Sequence, residues 1–128
     1  MGKIHHMNEH TNEDRRRFTR IQLMKGVTLF SGMEALSVQL LDLSLKGALI
    51  TCPENKNLKP GDLFRLSIPL ENAPAIIMNI EVIHSNGKTF GAEWTQIDMD
   101  SFASLKRTIE LNIKEKENLR QDIKTLSE

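Results

Sequence analysis

The sequence of 128 residues contains little of what several classes of protein require. Its one cysteine, Cys52, cannot form an intrachain disulfide, so the fold cannot depend on one. No apolar run reaches the roughly 18 residues that a membrane-spanning helix needs. Residues 1–14 carry no apolar segment of the kind that a secretory signal requires. We therefore expect a cytoplasmic protein that does not insert into membranes.

The balance of charge also restricts the class of protein that this chain can belong to. Lys and Arg together number 17, as do Asp and Glu, so the net charge is zero. The sequence has no Tyr and one Trp, whereas a small barrel that binds nucleic acid needs basic residues interleaved with aromatic ones on a strand face. We expect no nucleic-acid binding and keep such a barrel as a runner-up interpretation.

Groups that catalyse reactions are also missing. The sequence shows no nucleophile with a matching His and acid, no carboxylates on facing elements and no glycine loop that would cradle a phosphate. We expect no catalytic residue, no metal site and no catalytic cofactor, and hence a protein that is not an enzyme.

What the sequence does contain is a regular alternation of apolar and polar residues over most of its length. A chain of this size is expected to form one domain. Six segments alternate, at spacings of roughly ten residues, which is typical of a small antiparallel barrel or sandwich. The predicted strands are residues 23–31, 34–43, 48–52, 62–70, 75–84 and 89–97.

The period changes after residue 97, from that of a strand to that of a helix. Asp98 or Asp100 can cap the N-terminus of this helix. Two interpretations of its apolar face stay open, because the face can pack on the barrel or bind a partner. The face consists of Phe102, Leu105, Ile109, Ile113, Leu119, Ile123 and Leu126.

The first motif is a run of arginines. Arg15, Arg16, Arg17 and Arg20 fall within six residues of an otherwise neutral chain. Arginine side chains match the oxygens of a phosphate with paired hydrogen bonds. A local cationic patch on a neutral protein suits a small anion better than a long polyanion. Taken alone, the run is better explained as a solvated basic arm or a nucleic-acid patch.

The second motif is Asp42-Leu43-Ser44-Leu45-Lys46-Gly47, called here the 42–47 segment. It predicts a bend that interrupts the strand pattern. An Asp can accept hydrogen bonds from N–H groups, and a Gly permits close approach of the backbone. Taken alone, the spacing is that of an ordinary turn.

Together, in this order and ahead of an all-β pattern, the two motifs resemble the PilZ domain, a bacterial receptor for cyclic di-GMP. The resemblance covers residues 14–112 and implies a mainly β fold, a six-stranded antiparallel PilZ-type β-barrel with a C-terminal α-helical segment and a flexible N-terminal arm. Residues 1–13 are then a disordered tail, and residues 113–128 a helical extension. Residues 1–7 are left out of the fold prediction because His5-His6-Met7 resembles a remnant of cloning.

The resemblance also implies a set of ligand contacts. Arg16 and Arg20 match the Arg-x-x-x-Arg motif of the family, and Asp42, Ser44 and Gly47 match its Asp-x-Ser-x-x-Gly motif.

Further contacts follow from the same resemblance. Arg15 and Arg17 resemble the extra arginines of members that bind a stacked pair of ligands, so we expect cyclic di-GMP as a stacked dimer. Lys46, inside the second motif, faces either solvent or a phosphate, and in the second case it is a secondary contact. His84 stands where some members place an aromatic side chain that stacks on a guanine, and it offers less area for stacking.

The function implied is that of a receptor and adaptor. On binding, the N-terminal arm, residues 12–20, changes conformation and signals to an unidentified protein partner. We expect the protein to be a monomer. The alternative within the family is a PilZ-fold interaction adaptor that does not bind the ligand.

Overall fold

The computed structural model describes the backbone of residues 18–127 and the side chains of residues 18–122. The predicted tail and the three arginines Arg15, Arg16 and Arg17 lie outside this part of the chain. The described residues form six antiparallel strands and one helix. These are β1 (Ile21–Ser31), β2 (Glu34–Leu43), β3 (Gly47–Thr51), β4 (Leu63–Leu70), β5 (Ala73–Ser85), β6 (Thr89–Ile97) and α1 (Met99–Ser127).

The strands close into a barrel in the order β1-β2-β3-β6-β5-β4. Closure comes from the pairing of β1 with β4, where Thr28 to Phe30 face Ser67 to Arg65. A closed sheet has no free edge, and its alternating residues point in turn to the interior and to solvent. The predicted six-stranded antiparallel barrel with a C-terminal helix is confirmed.

The apolar members of the alternation fill the barrel. Their side chains are almost fully removed from water, which is the main source of stability in a fold without a disulfide. The most deeply buried are Ile21, Leu29, Leu40, Leu43, Ile50, Leu66, Ile68, Ile76, Met78, Ile80, Val82 and Phe90.

The predicted bend at the 42–47 segment is wrong in its extent. Asp42 belongs to β2, where it pairs with Gln22 and Leu49, and Gly47 begins β3, where it pairs with Glu93. The residues between β2 and β3 are 44–46. The β2–β3 register shifts between Leu40 and Asp42, as at a β-bulge, and β2 continues beyond this shift to Leu43.

Helix α1 is capped by Asp98, the first of the two predicted candidates. The Ser101 backbone N–H donates to the Asp98 carboxylate at 3.1 Å, and the Ile77 backbone N–H donates to Ser101 Oγ at 3.0 Å. These two bonds fix the start of α1 against β5. Leu105 and Ile109 are then buried against the barrel.

The second half of α1 extends away from the barrel. Side chains from Lys114 to Asp122 are exposed, with Leu119 59% exposed. The predicted apolar face therefore packs on the barrel as far as Ile113, and its later members Ile123 and Leu126 lie outside the described side chains. Within residues 18–127, no helix combines the length and apolar character needed to cross a membrane.

The helix cap generates a prediction about acid stability. Hydrogen bonds from the Ser101 side chain and then from its backbone N–H hold the pKa of Asp98 below its ordinary value of 3.8. The ionised carboxylate thus stabilises the folded state above that value, and the stabilisation is lost as the pH falls through the lowered pKa. Asp98→Asn keeps an acceptor for the cap but does not titrate.

We expect the melting temperature of Asp98→Asn to lie below that of the wild type at neutral pH, and the difference to shrink in acid. Thermal unfolding followed by circular dichroism across this pH range measures it. A difference that stays constant with pH would contradict the role of the charged cap.

Candidate ligand-binding cleft

Ser44 shapes the turn between β2 and β3. Its Oγ accepts hydrogen bonds from the backbone N–H groups of Lys46 and Gly47, each at 3.2 Å, and donates to the Gly47 carbonyl at 3.4 Å. The Ser44 backbone N–H donates to that same carbonyl at 2.9 Å. One hydroxyl offers one donor and two acceptor sites, so the buried Ser44 side chain is fully used by the turn.

Gly47 is required by the approach of two strands. A Cβ at this position would lie 2.0 Å from the carbonyl oxygen of Ala92 in β6. No side chain can occupy that space unless β3 and β6 move apart. The glycine thus allows the strand that follows the turn to pair with β6.

Trp94, on β6, donates two hydrogen bonds to the turn between β2 and β3. Its Nε1–H donates to the Leu45 carbonyl at 2.7 Å, and its backbone N–H donates to the Lys46 carbonyl at 3.2 Å. The Lys46 ammonium lies 5.7 Å from the centroid of the indole ring, within cation–π range. Trp94 is half-buried against the core, and these contacts were not predicted from the sequence.

A cleft of about 90 Å³ opens beside this turn. It brings together every predicted site residue that lies in the described part of the chain. These are Arg20, Asp42, Ser44, Lys46, Gly47 and His84. The walls are completed by Phe18, Leu43, Ala48, Leu49, Ile83, Gly91, Ala92 and Glu93.

His84 and Gly91 lie together in one wall of the cleft. The two residues face each other across β5 and β6, and a Cβ at Gly91 would lie 2.3 Å from His84 Nε2. The exposed imidazole therefore lies over the Gly91 backbone. Sequence reasoning missed Gly91, although a glycine inside a strand often marks such a close approach.

The sequence of this barrel matches a known family model. The PilZ domain model covers residues 14–111, which is most of the chain. The chain therefore belongs to the PilZ domain family, as the two motifs predicted.

Solved structures share the fold at low sequence identity. The PilZ domain of YcgR from Escherichia coli, a structure with cyclic di-GMP, aligns with a TM-score of 0.65 and 16% identity over 84% of this chain and 98% of its own. The motility inhibitor MotI (DgrA) of Bacillus subtilis aligns with a TM-score of 0.67 and 18% identity over 81% of this chain. The chain spans about half of that protein, 52%.

A third neighbour, the PilZ domain of CeSA from a cellulose-synthesizing bacterium, aligns with a TM-score of 0.59 and 18% identity. The alignment covers 77% of this chain and 98% of that one. At such identities, these likenesses establish the fold.

The β3–β6 approach generates a prediction about stability. Gly47→Ala should lower the free energy of unfolding by about 1–3 kcal/mol, because the methyl group meets the Ala92 carbonyl. Gly26→Ala in β1 is the matched control, since a Cβ there would meet nothing closer than Gln39 Nε2 at 3.8 Å. Urea unfolding of both variants measures the effect. Equal free energies of unfolding for the two variants would contradict the prediction, because β6 would then move away from β3 without loss of stability.

Proposed function

We propose that the protein is a receptor for cyclic di-GMP that acts as an adaptor. The observation that carries the proposal is the cleft, which gathers Arg20, the 42–47 segment and His84 from distant parts of the chain. Membership of the PilZ family and the fold shared with the YcgR domain solved with this ligand support it.

The contacts at the cleft divide into two kinds. Ser44 and Gly47 build the turn, because the hydroxyl is saturated by backbone groups and the glycine meets β6. Asp42, Lys46 and Arg20 line the cleft with charged groups. In this proposal Asp42 accepts from a guanine, while Arg20 and Lys46 donate to phosphates or to the O6/N7 edge.

The open side of the cleft bears on the role of the N-terminal arm. The cleft is partly open to solvent, so in this proposal part of the ligand lies at its mouth. Phe18 and Arg20 line that cleft, and Arg15, Arg16 and Arg17 precede them in the chain. The arm closing over the ligand would therefore add three guanidinium groups on the solvent side.

The energetics of this closure predict a reversible signal. Ordering about six residues costs on the order of 6–10 kcal/mol of backbone entropy. Charge-assisted hydrogen bonds contribute roughly 1.5–3 kcal/mol each, so four arginines with Asp42 and Lys46 exceed that cost modestly. We expect a dissociation constant between sub-micromolar and micromolar. Four arginines would also offset the four negative charges of a stacked ligand pair.

The output of the receptor is a changed surface. The repositioned arm and the bound phosphates present new charge that a protein partner can recognise. In this proposal the protein works as a cytoplasmic monomer, without catalysis and without binding nucleic acid.

The test is a calorimetric titration with cyclic di-GMP. The double variant Arg16→Ala/Arg20→Ala should lose at least about 100-fold in affinity, since two charge-assisted contacts disappear. Arg65→Ala is the matched control, because Arg65 lies on β4 beside Asn79 and outside the cleft lining. A stoichiometry near two ligands per chain supports the stacked pair.

Two outcomes would contradict the proposal. A folded wild-type protein that does not bind the dinucleotide would favour an adaptor that works without the ligand. A comparable loss of affinity in the Arg65→Ala control would show that binding depends on positive charge anywhere on the protein. That result would favour a surface that binds polyanions in general.

His84 provides an independent test of the cleft wall. If the imidazole stacks on a guanine, His84→Ala should weaken binding by about 5-fold. This factor corresponds to the lower end of the range of free energies measured for stacking of a base on an aromatic side chain. His84→Trp should strengthen binding, since an indole offers more area. Ile77→Ala, exposed elsewhere on β5, is the control. Unchanged affinity in both His84 variants would show that a guanine does not contact this wall.

A further inference from the structure

The Trp94 side chain contacts two parts of the molecule that are separate in sequence, the turn between β2 and β3 and the beginning of α1. Its Nε1–H donates to the carbonyl of Leu45 in the turn at 2.7 Å. Its indole face lies 5.7 Å from the Lys46 ammonium at the cleft. Its ring also meets Phe102 of helix α1 edge-on, with centroids 6.2 Å apart and an interplanar angle of 73°. The side chain thus joins the candidate binding turn to the helix.

A phosphate in the cleft would compete with the indole of Trp94 for the Lys46 ammonium. Lys46 lines the cleft and also faces Trp94. A cation–π contact at a half-exposed site is weaker than a charge-assisted hydrogen bond to a phosphate. A phosphate bound in the cleft would therefore draw the ammonium away from the indole. The hydrogen bond to Leu45 would carry any movement of the turn to the same ring.

The contact with Phe102 provides the route to α1. Phe102 stands at the beginning of the helix and is 36% exposed, whereas Leu105 and Ile109 anchor the next turns in the barrel. Ser101 adds a hydrogen bond to β5. A shift of the indole would alter the packing of Phe102, the aromatic contact between this end of α1 and β6.

We infer that Trp94 is a positioning residue that couples occupancy of the cleft to helix α1 through Lys46, Leu45 and Phe102. The inference rests on the proposed function, because it needs a phosphate ligand in the cleft. Coupling of this kind is reciprocal, so breaking the route also changes ligand affinity by the factor that the coupling contributes.

The fluorescence of Trp94 offers a direct readout. The sequence has one Trp and no Tyr, so the emission reports this side chain. Titration with cyclic di-GMP should change the emission with the dissociation constant that calorimetry measures. In Lys46→Met, which keeps an unbranched side chain without the charge, we expect weaker binding and a smaller emission change. Lys46→Arg should restore both.

Hydrogen exchange tests the helix end of the route. Ligand should change the exchange of backbone amides in the packed part of α1, residues 102–109. In Phe102→Ala the protein should still bind the dinucleotide by calorimetry, while the response of these amides should be lost. Leu111→Ala is the matched control, because Leu111 is 50% exposed on the same helix. Its response should equal that of the wild type.

The outcomes separate this inference from the proposed function. Calorimetric binding without a change in Trp94 emission, or without a response in α1, overturns the inference and leaves the receptor proposal intact. A helix response that survives in Phe102→Ala overturns the route through Trp94. Absence of calorimetric binding to a folded wild type overturns the receptor proposal, and the inference falls with it.

Discussion

The approach of β3 to β6 at Gly47 determines where the candidate site lies. A Cβ would meet the Ala92 carbonyl at 2.0 Å, so the pairing depends on the absence of a side chain. Because β3 follows the turn directly, this pairing places the 42–47 segment beside Trp94 and near His84. The position of the cleft thus follows from the packing of two backbone strands, and its polar side chains project from the surface of the barrel.

The 42–47 segment, which resembles a ligand-binding motif, also stabilises the fold of this chain. Ser44 satisfies its hydroxyl within the turn, and Gly47 accommodates β6. Asp42 and Lys46, which alternate with them in sequence, line the cleft. Under the proposed function, we expect substitution of Ser44 or Gly47 to affect binding through the shape of the turn, and substitution of Asp42 to remove a proposed contact to the ligand.

Much of the fold could be predicted because its signals are local. Alternation of apolar residues identified all six strands, with boundaries within two residues of those observed, and the change of period identified α1. The extent of the bend was misjudged, since Asp42 and Gly47 pair with Gln22 and Glu93. Strand pairing with distant residues overrode the local turn preference of the segment, and sequence spacing carries no sign of it.

The sequence by itself determined the family, the order of the elements and the residues that form the core, because these depend on periodicity and on short motifs. Tertiary structure decided which atoms those residues meet. The imidazole lies over Gly91 because of the register between β5 and β6, and Trp94 meets Phe102 because α1 packs beside β6. The hydrogen bond from Trp94 to Leu45 joins residues 49 positions apart, and it depends on the pairing of β3 with β6, which local pattern does not encode.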